Sequence, residues 1–267
     1  QRTDQDRLPT PVRPRSVERA DLSSSDSQLR LTGERRVGPA RLHLGTDVGG
    51  EYSLHALDST IAFDAADTVT SASTSESIDS AHRTAAGVFA ETSVEARSRL
   101  RFTGALRFHA VQNINSGGYF GSRSVSNVAV AGLLAATVNP FRHLAVIGQV
   151  ARGFRDPTLS DRFYRGPVGR GFIEGNPDLK PETSLQVDLR ARYAIGAAGV
   201  AVAVYHYTIA DLVERYAATP TLFLFRNRGR AELEGIEVEA HTPLRGPLDL
   251  AVTAETSRGR DALDHTP

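Results

Sequence analysis

Ala151-Arg-Gly-Phe-Arg-Asp-Pro157, a polar loop, Gly175-Asn-Pro-Asp-Leu-Lys-Pro-Glu182 and then Thr183-Ser-Leu-Gln-Val-Asp-Leu189 form the stretch whose reading decides the fold. Pro157 has no N–H to give a ladder and keeps Asp156 out of helix, so the first segment stops there as a strand. Gly175-Asn-Pro-Asp178 is turn chemistry: Pro177 pre-sets φ, and Asn176 can bond its own backbone two residues on. Beyond Pro181, Ser184, Gln186, Asp188, Arg190 and Arg192 fall on one face. Leu185, Val187, Leu189, Ala191 and Tyr193 fall on the other. Two strands, one with a wet side and an oily side, are joined by one structured loop.

The same two-sided pattern recurs on both sides of this stretch. Leu42, Leu44, Thr46 and Val48 alternate with Arg41, His43 and Asp47, and Leu100, Phe102, Leu106 and Phe108 oppose Arg101, Thr103, Arg107 and His109. Short turns are expected at Val37-Gly-Pro39, Glu95–Ser98, Asn139–His143, Gly196–Gly199 and Leu244–Pro247. Longer polar connections, read as exposed loops, fall at 57–80, 113–124, 158–175 and 208–221. Residues 1–28, with Pro9, Pro11, Pro14 and the run Ser23–Ser27, read as a polar loop or arm. Residues 29–267 read as about ten strands whose turns alternate short and long, the rhythm of a transmembrane β-barrel.

Composition narrows the function. The chain has 267 residues, 40% hydrophobic and 23% charged. Its 31 Lys+Arg balance 31 Asp+Glu, so charge gives no reason to expect a nucleic-acid partner. There is no Cys and no Met. No apolar run approaches the ~18 to 20 residues of a membrane helix, so a membrane would have to be crossed by strands of ~9 to 11 residues. No Gly-x-Ser-x-Gly elbow, His-Glu-x-x-His pair or nucleophilic Cys supports catalysis. The eight His residues lack metal-ligand spacing, and no cofactor is expected.

The ordered boxes resemble the barrel of TonB-dependent outer-membrane receptors. Gly153-Phe-Arg-Asp-Pro157 and Gly175-Asn-Pro-Asp-Leu-Lys-Pro-Glu182 match first. Tyr205-x-Tyr-x-Ile-x-Asp-Leu-Val-Glu-Arg-Tyr216, Asn227-Arg-Gly-Arg-Ala231 and Gly235-Ile-Glu-Val-Glu239 follow in the family's order. The resemblance implies an all-β, antiparallel transmembrane barrel fragment set in outer-membrane lipid, with the plug domain and remaining strands outside residues 29–267. The expected structure is an unclosed curved sheet with edges near Leu29 and Leu250. The resemblance also implies uptake of a scarce nutrient, an iron-siderophore-type chelate, powered by the TonB complex through the plug. Haem-uptake members place a His between the two boxes, whereas Thr158 to Gly175 contains none, which counts against haem.

Within the organising loop, Arg155, Arg162, Arg165 and Arg170, with Tyr164 and Phe172, offer forked donors and rings to a small-molecule or metal-chelate ligand. The bland alternative for them is solvated loop charge offset by Asp156, Asp161 and Glu174. Gly166-Pro-Val-Gly-Arg-Gly171 lacks the ending of a phosphate loop and reads as a loop tip. Two other readings of the chain stay open at this point. One is a soluble or surface-exposed β-sandwich binding module, because sandwich strands alternate too. The other is an outer-membrane barrel enzyme.

Overall fold

The computed structural model describes residues 2–7, 15–168, 171–244 and 246–261, the first of these through backbone pairing only. All thirteen strands belong to one sheet. In chain order they are β1 (Arg2–Arg7), β2 (Ser16–Val37), β3 (Ala40–Phe63), β4 (Val69–Arg97), β5 (Leu100–Gly118), β6 (Arg123–Phe141), β7 (Leu144–Arg155), β8 (Arg165–Val168), β9 (Gly171–Glu174), β10 (Glu182–Ile195), β11 (Ala198–Thr219), β12 (Leu222–Pro243) and β13 (Asp249–Asp261). The helix α1 (Leu159–Phe163) precedes β8. Setting aside β1, β8 and β9, of six, four and four residues, leaves ten long strands, each antiparallel to its neighbour in sequence. A sandwich would need a second sheet packed on the first, and no second sheet exists among the described residues.

Among those residues no ladder joins β13 to β1 or β2. The long ladder of β2, which carries Leu29, is with β3, and that of β13, which carries Leu250, is with β12. The sheet is therefore open along one seam, with its edges on the strands of Leu29 and Leu250, as the resemblance implies.

One face of the sheet is an apolar belt. Leu189 lies opposite Gly148 on β7 and Val204 on β11, and Val204 lies opposite Ile236 on β12, a continuous outward row. Phe102, Leu106, Leu134 and Val150 extend it, all exposed. The hollow where Gly104 and Gly132 lack side chains belongs to this belt. In water such a face would be an association site, whereas in a bilayer it is the lipid contact of a barrel wall. The opposite face is wet and paired. Arg107 binds Asp47 with two bonds of 2.8 and 2.7 Å, Arg190 donates to Glu239 at 2.5 Å, and Gln149 donates to Asp188 at 3.2 Å.

The two rims differ. Tight turns link β2 to β3, β4 to β5, β6 to β7 and β10 to β11, all on one rim. On the other rim the strands run on. The connection expected at 57–80 is strand except for Asp64–Thr68, because β3 reaches Phe63 and β4 starts at Val69. The one expected at 113–124 shrinks to 119–122, and the one at 208–221 to Pro220 and Thr221. Above the membrane both faces meet water, so these ladders, rich in Ser, Thr and Asp, have no apolar period to betray them. The same reason corrects the polar arm. Ser16 to Gln28 is the outer half of β2, paired with β3 from Ala62 down to Gly49, and Arg2–Arg7 pairs back onto it. Residues 1 and 8–14 of that arm lie outside the described residues.

Candidate functional site: the loop across the outer rim

The segment from Asp156 to Pro181 remains the longest connection, and it folds over the wet face at the outer rim. Thr158 caps α1 in a capping box with Asp161, each accepting the other's backbone N–H at 3.0 Å. Leu159 and Phe163 then bury themselves against Leu54, Ala56, Ile78 and Ala81 of β3 and β4. At the far end β9 lies parallel to β12, Phe172 to Glu174 beside Leu222 to Leu224. The loop is thus a strut from β3–β4 on one side to β12 on the other.

The two boxes of the organising stretch are the strut's anchors. Asp156, buried, accepts from Asn127 at 2.6 Å and Asn113 at 3.0 Å, which ties the strand end to β5 and β6. Asn176 makes the expected turn by accepting from the N–H of Asp178 at 3.0 Å, and its amide donates to the Phe225 carbonyl at 3.1 Å. A Cβ on Gly175 would stand 2.7 Å from the carbonyl of Arg162, so only glycine fits between α1 and the turn. The downstream motifs meet the same anchors. Asn227 accepts from the Lys180 N–H at 2.8 Å and donates to the carbonyls of Lys180 and Asp211 at 2.9 and 2.8 Å. Boxes far apart in sequence are one hydrogen-bonded joint.

Of the six sequence-derived candidates, three are held within this joint. Arg155 grips Glu182 with bonds of 2.7 and 2.9 Å, and Glu182 also accepts from the Val213 N–H at 2.6 Å. Burial pushes the Glu182 carboxyl up, but these donors more than offset it and leave it below its ordinary value. Arg162 is 0% exposed; it donates to the carbonyls of Pro177 and Leu179 at 2.9 and 2.7 Å and faces Asp156 at 3.5 Å. Burial lowers its pKa, with Asp156 pulling the other way. Tyr164 donates to Asp58 of β3 at 3.2 Å. Burial raises the phenol, and burial likewise pushes Asp58 up to about 6 against the pull of Tyr164 and Arg165. Arg165, partly exposed, stacks 4.4 Å above the Tyr119 ring and pairs with Glu174 at 3.2 Å. Phe172 is on the surface of β9. Arg170 lies outside the described residues, as does Gly169, and the loop-tip segment flanking them is the β8–β9 hairpin.

The structure adds groups that spacing alone missed. Arg226 stacks 4.4 Å from the Tyr216 ring and Arg215 5.5 Å from Phe223, where β11 and β12 reach the outer rim. With Arg165 over Tyr119 and Arg15 4.9 Å from the Phe63 ring, they make four cation–ring pairs at that end of the sheet. Tyr216 stands in a quoted motif, but nothing in sequence pairs it with Arg226. The ladder does, through the neighbouring pairs Glu214 with Arg226 and Tyr216 with Leu224.

The fold and the loop together define a barrel wall with a strutted outer mouth, and the comparisons with known proteins give that class its family. The family model described as TonB dependent receptor-like, beta-barrel, matches residues 2–266, and the chain belongs to this family. Its members are receptors and transporters rather than enzymes, and the chain is an outer-membrane β-barrel. Over 132 residues it is 28% identical to the vitamin B12 transporter BtuB of Vibrio vulnificus (strain YJ016), covering 49% of this chain and 20% of that protein. Over 123 residues it is 31% identical to an iron-regulated outer membrane virulence protein of Vibrio cholerae serotype O1, covering 40% of this chain and 19% of that protein. The chain thus spans about a fifth of the curated relatives it matches. The solved copper transporter OprC superposes with a TM-score of 0.75 at 19% identity, covering 99% of this chain and 42% of that one. The siderophore receptor PiuA from Acinetobacter baumannii does so at 0.62 and 11%, covering 92% and 39%. At these identities the structural likeness speaks for the fold.

Proposed function

We propose that the parent protein takes up a scarce nutrient across the outer membrane, an iron-siderophore-type chelate, driven by the TonB complex acting through a plug domain. The observation that carries the choice of ligand is the set of partly exposed cation–ring pairs at the outer rim, Arg165 with Tyr119 and Arg226 with Tyr216, each cation also paired with a carboxylate, Glu174 at 3.2 Å and Glu214 at 3.0 Å. Guanidinium groups over flat rings suit an anionic chelate with aromatic or planar donors. Relatives whose names refer to iron regulation and siderophores support the reading. The outer loops capture the ligand, the plug rearranges, and no bond of the ligand is made or broken. The wet inner face, with paired charges such as Arg107 and Asp47, forms the wall along which the ligand moves.

The test is uptake of radiolabelled ferric chelates by cells carrying only this receptor, with and without TonB. TonB-dependent uptake is expected. In Arg165→Ala/Tyr119→Ala and in Arg226→Ala, affinity should fall on the order of tenfold, the loss of roughly 1.4 kcal/mol from one cation and its ring. Uptake of cobalamin or copper with no ferric chelate carried would overturn the choice of ligand, and uptake indifferent to TonB would overturn the mechanism.

A further inference from the structure

On the outer hairpin of β3 and β4, His55, Glu76 and Asp79 each offer one ligand atom, and these three atoms all lie within 4.8 Å of one another. The hairpin is irregular here. The β3–β4 register shifts between Glu51 and Leu54, between Leu54 and Ala56, and between Ala56 and Leu57, and Ser53 and Ser80 take positive φ. Bulges re-aim side chains, and the slip that sets Leu57 opposite Glu76 brings Glu76 within reach of His55 and Asp79. Leu54, Ala56, Ile78 and Ala81 from the same segment turn the other way, into the cluster under α1. The three ligands therefore stand on the flank away from the strut, and the site has no part in the ligand surface described above.

We propose that this cluster binds a first-row divalent transition ion, zinc or copper, which staples β3 to β4 across the bulges. The donor set argues for that class. One imidazole with two carboxylates suits zinc and copper, whereas magnesium and calcium prefer oxygen alone. His55 Nδ1 lies 3.8 Å from Asp79 Oδ1. Two ligand atoms each ~2.1 Å from a tetrahedral zinc are about 3.4 Å apart, so the three side chains must close in from within 4.8 Å of one another, and His55 Nδ1 must exchange its long 3.4 Å bond from the Ser80 N–H for the ion. His55 and Asp79 are 46% and 48% exposed, which leaves the ion reachable from solvent with room for water in its remaining position.

The experiment is calorimetric titration of the purified, chelator-treated parent receptor in detergent with zinc sulfate, then with calcium chloride. One saturable zinc site is expected, absent with calcium, and weakened about tenfold or more in His55→Ala and in Asp79→Asn. Copper added to the same samples should give an electron paramagnetic resonance spectrum with imidazole nitrogen coupling that His55→Ala removes. Each variant is first checked for the heat-modifiable gel mobility of a folded barrel. Zinc binding unchanged in His55→Ala, equal binding of calcium, or no zinc binding at millimolar concentration would each overturn the proposal.

Discussion

The inner half of the sheet, near the tight turns, and the outer half, where the hairpins run on, are built from the same ladder but from different sequence. Near the tight turns each strand alternates, as in Leu185 to Tyr193, because one face meets lipid and the other the wet interior. In the outer half, Ser71 to Ser77 on β4 or Ser23 to Ser27 on β2 show no such alternation, since water lies on both sides. The inner half is held by its setting in the bilayer. The outer half has no lipid and takes its order from the strut, whose buried side chains and hydrogen bonds tie β3–β4 to β11–β12.

The contrast breaks most sharply at Arg162. Arg162→Met keeps the length and removes the charge, leaving Asp156 buried and the carbonyls of Pro177 and Leu179 without their donor. Asp156 keeps its two amide donors and Arg83 at 3.8 Å, so the cost falls mainly on the two carbonyls, each left unsatisfied at about 1 to 3 kcal/mol, here to be felt in the strut. Hydrogen exchange across 156–181 in the parent should rise steeply while the inner ladders keep their protection. If exchange in the loop is unchanged, the strut is not what orders the outer half.

Leu189→Arg applies the converse test to the inner half. Leu189 is 52% exposed on the outward row between Gly148 and Val204. A cation on the lipid face near the midplane costs about 2 to 4 kcal/mol. Equilibrium unfolding of the parent in lipid vesicles measures it, and a cost near zero would remove Leu189 from the belt.

These two residues also mark how far the sequence could be read. Leu189 announces its role through its neighbours two residues either side, because alternation is a local signal. Arg162 announces nothing: it sits in a polar loop among other arginines and looked like a ligand contact. Its burial comes from α1 packing on β3 and β4, roughly a hundred residues back in the chain, and long-range docking of that kind leaves no periodicity. The turn at Gly175–Asp178 was legible, since Asn176 makes the bond its chemistry suggests. Its second bond, to the Phe225 carbonyl, was not. The pairing of Tyr216, itself in a quoted motif, with Arg226 was hidden for the same reason, as the ladder rather than the spacing joins them.

Asp58 sharpens the comparison through pH. It is 6% exposed, its ordinary value is 3.8, and burial lifts it to about 6 where the strut docks. A carboxyl raised in the folded state binds its proton more tightly there, so docking is strongest below about pH 4. It weakens as pH rises towards 6 and is level above that, by an amount of up to about 3 kcal/mol. Asp58→Asn removes the ionisation. At neutral pH the loop should gain about 1 to 3 kcal/mol of protection in hydrogen exchange, and its dependence on pH between 4 and 6 should flatten. A slope that survives the substitution would assign the titration to another group.

The smallest effect is expected at Arg190, next to Leu189 in sequence and on the opposite face. Arg190 reaches Glu239 on β12 across the intervening β11, and both side chains are about two-fifths exposed to the wet interior. A pair so placed contributes about 0 to 1 kcal/mol, so Arg190→Leu should cost far less than Leu189→Arg although both reverse the character of the side chain. The asymmetry between adjacent residues is what separates a barrel wall from a two-sided water-soluble sheet, in which an arginine at 189 could stay hydrated at little cost. Labels can follow the same alternation along the strand, since these 267 residues contain no Cys and any elsewhere in the parent is first replaced by Ser. Single-Cys substitutions at Leu185, Val187 and Leu189 should report lipid-soluble quencher when the parent is in bilayers, and those at Gln186, Asp188 and Arg190 should report water. If all six report water, the belt faces something other than lipid, and the equal cost of the two reversals would say so independently.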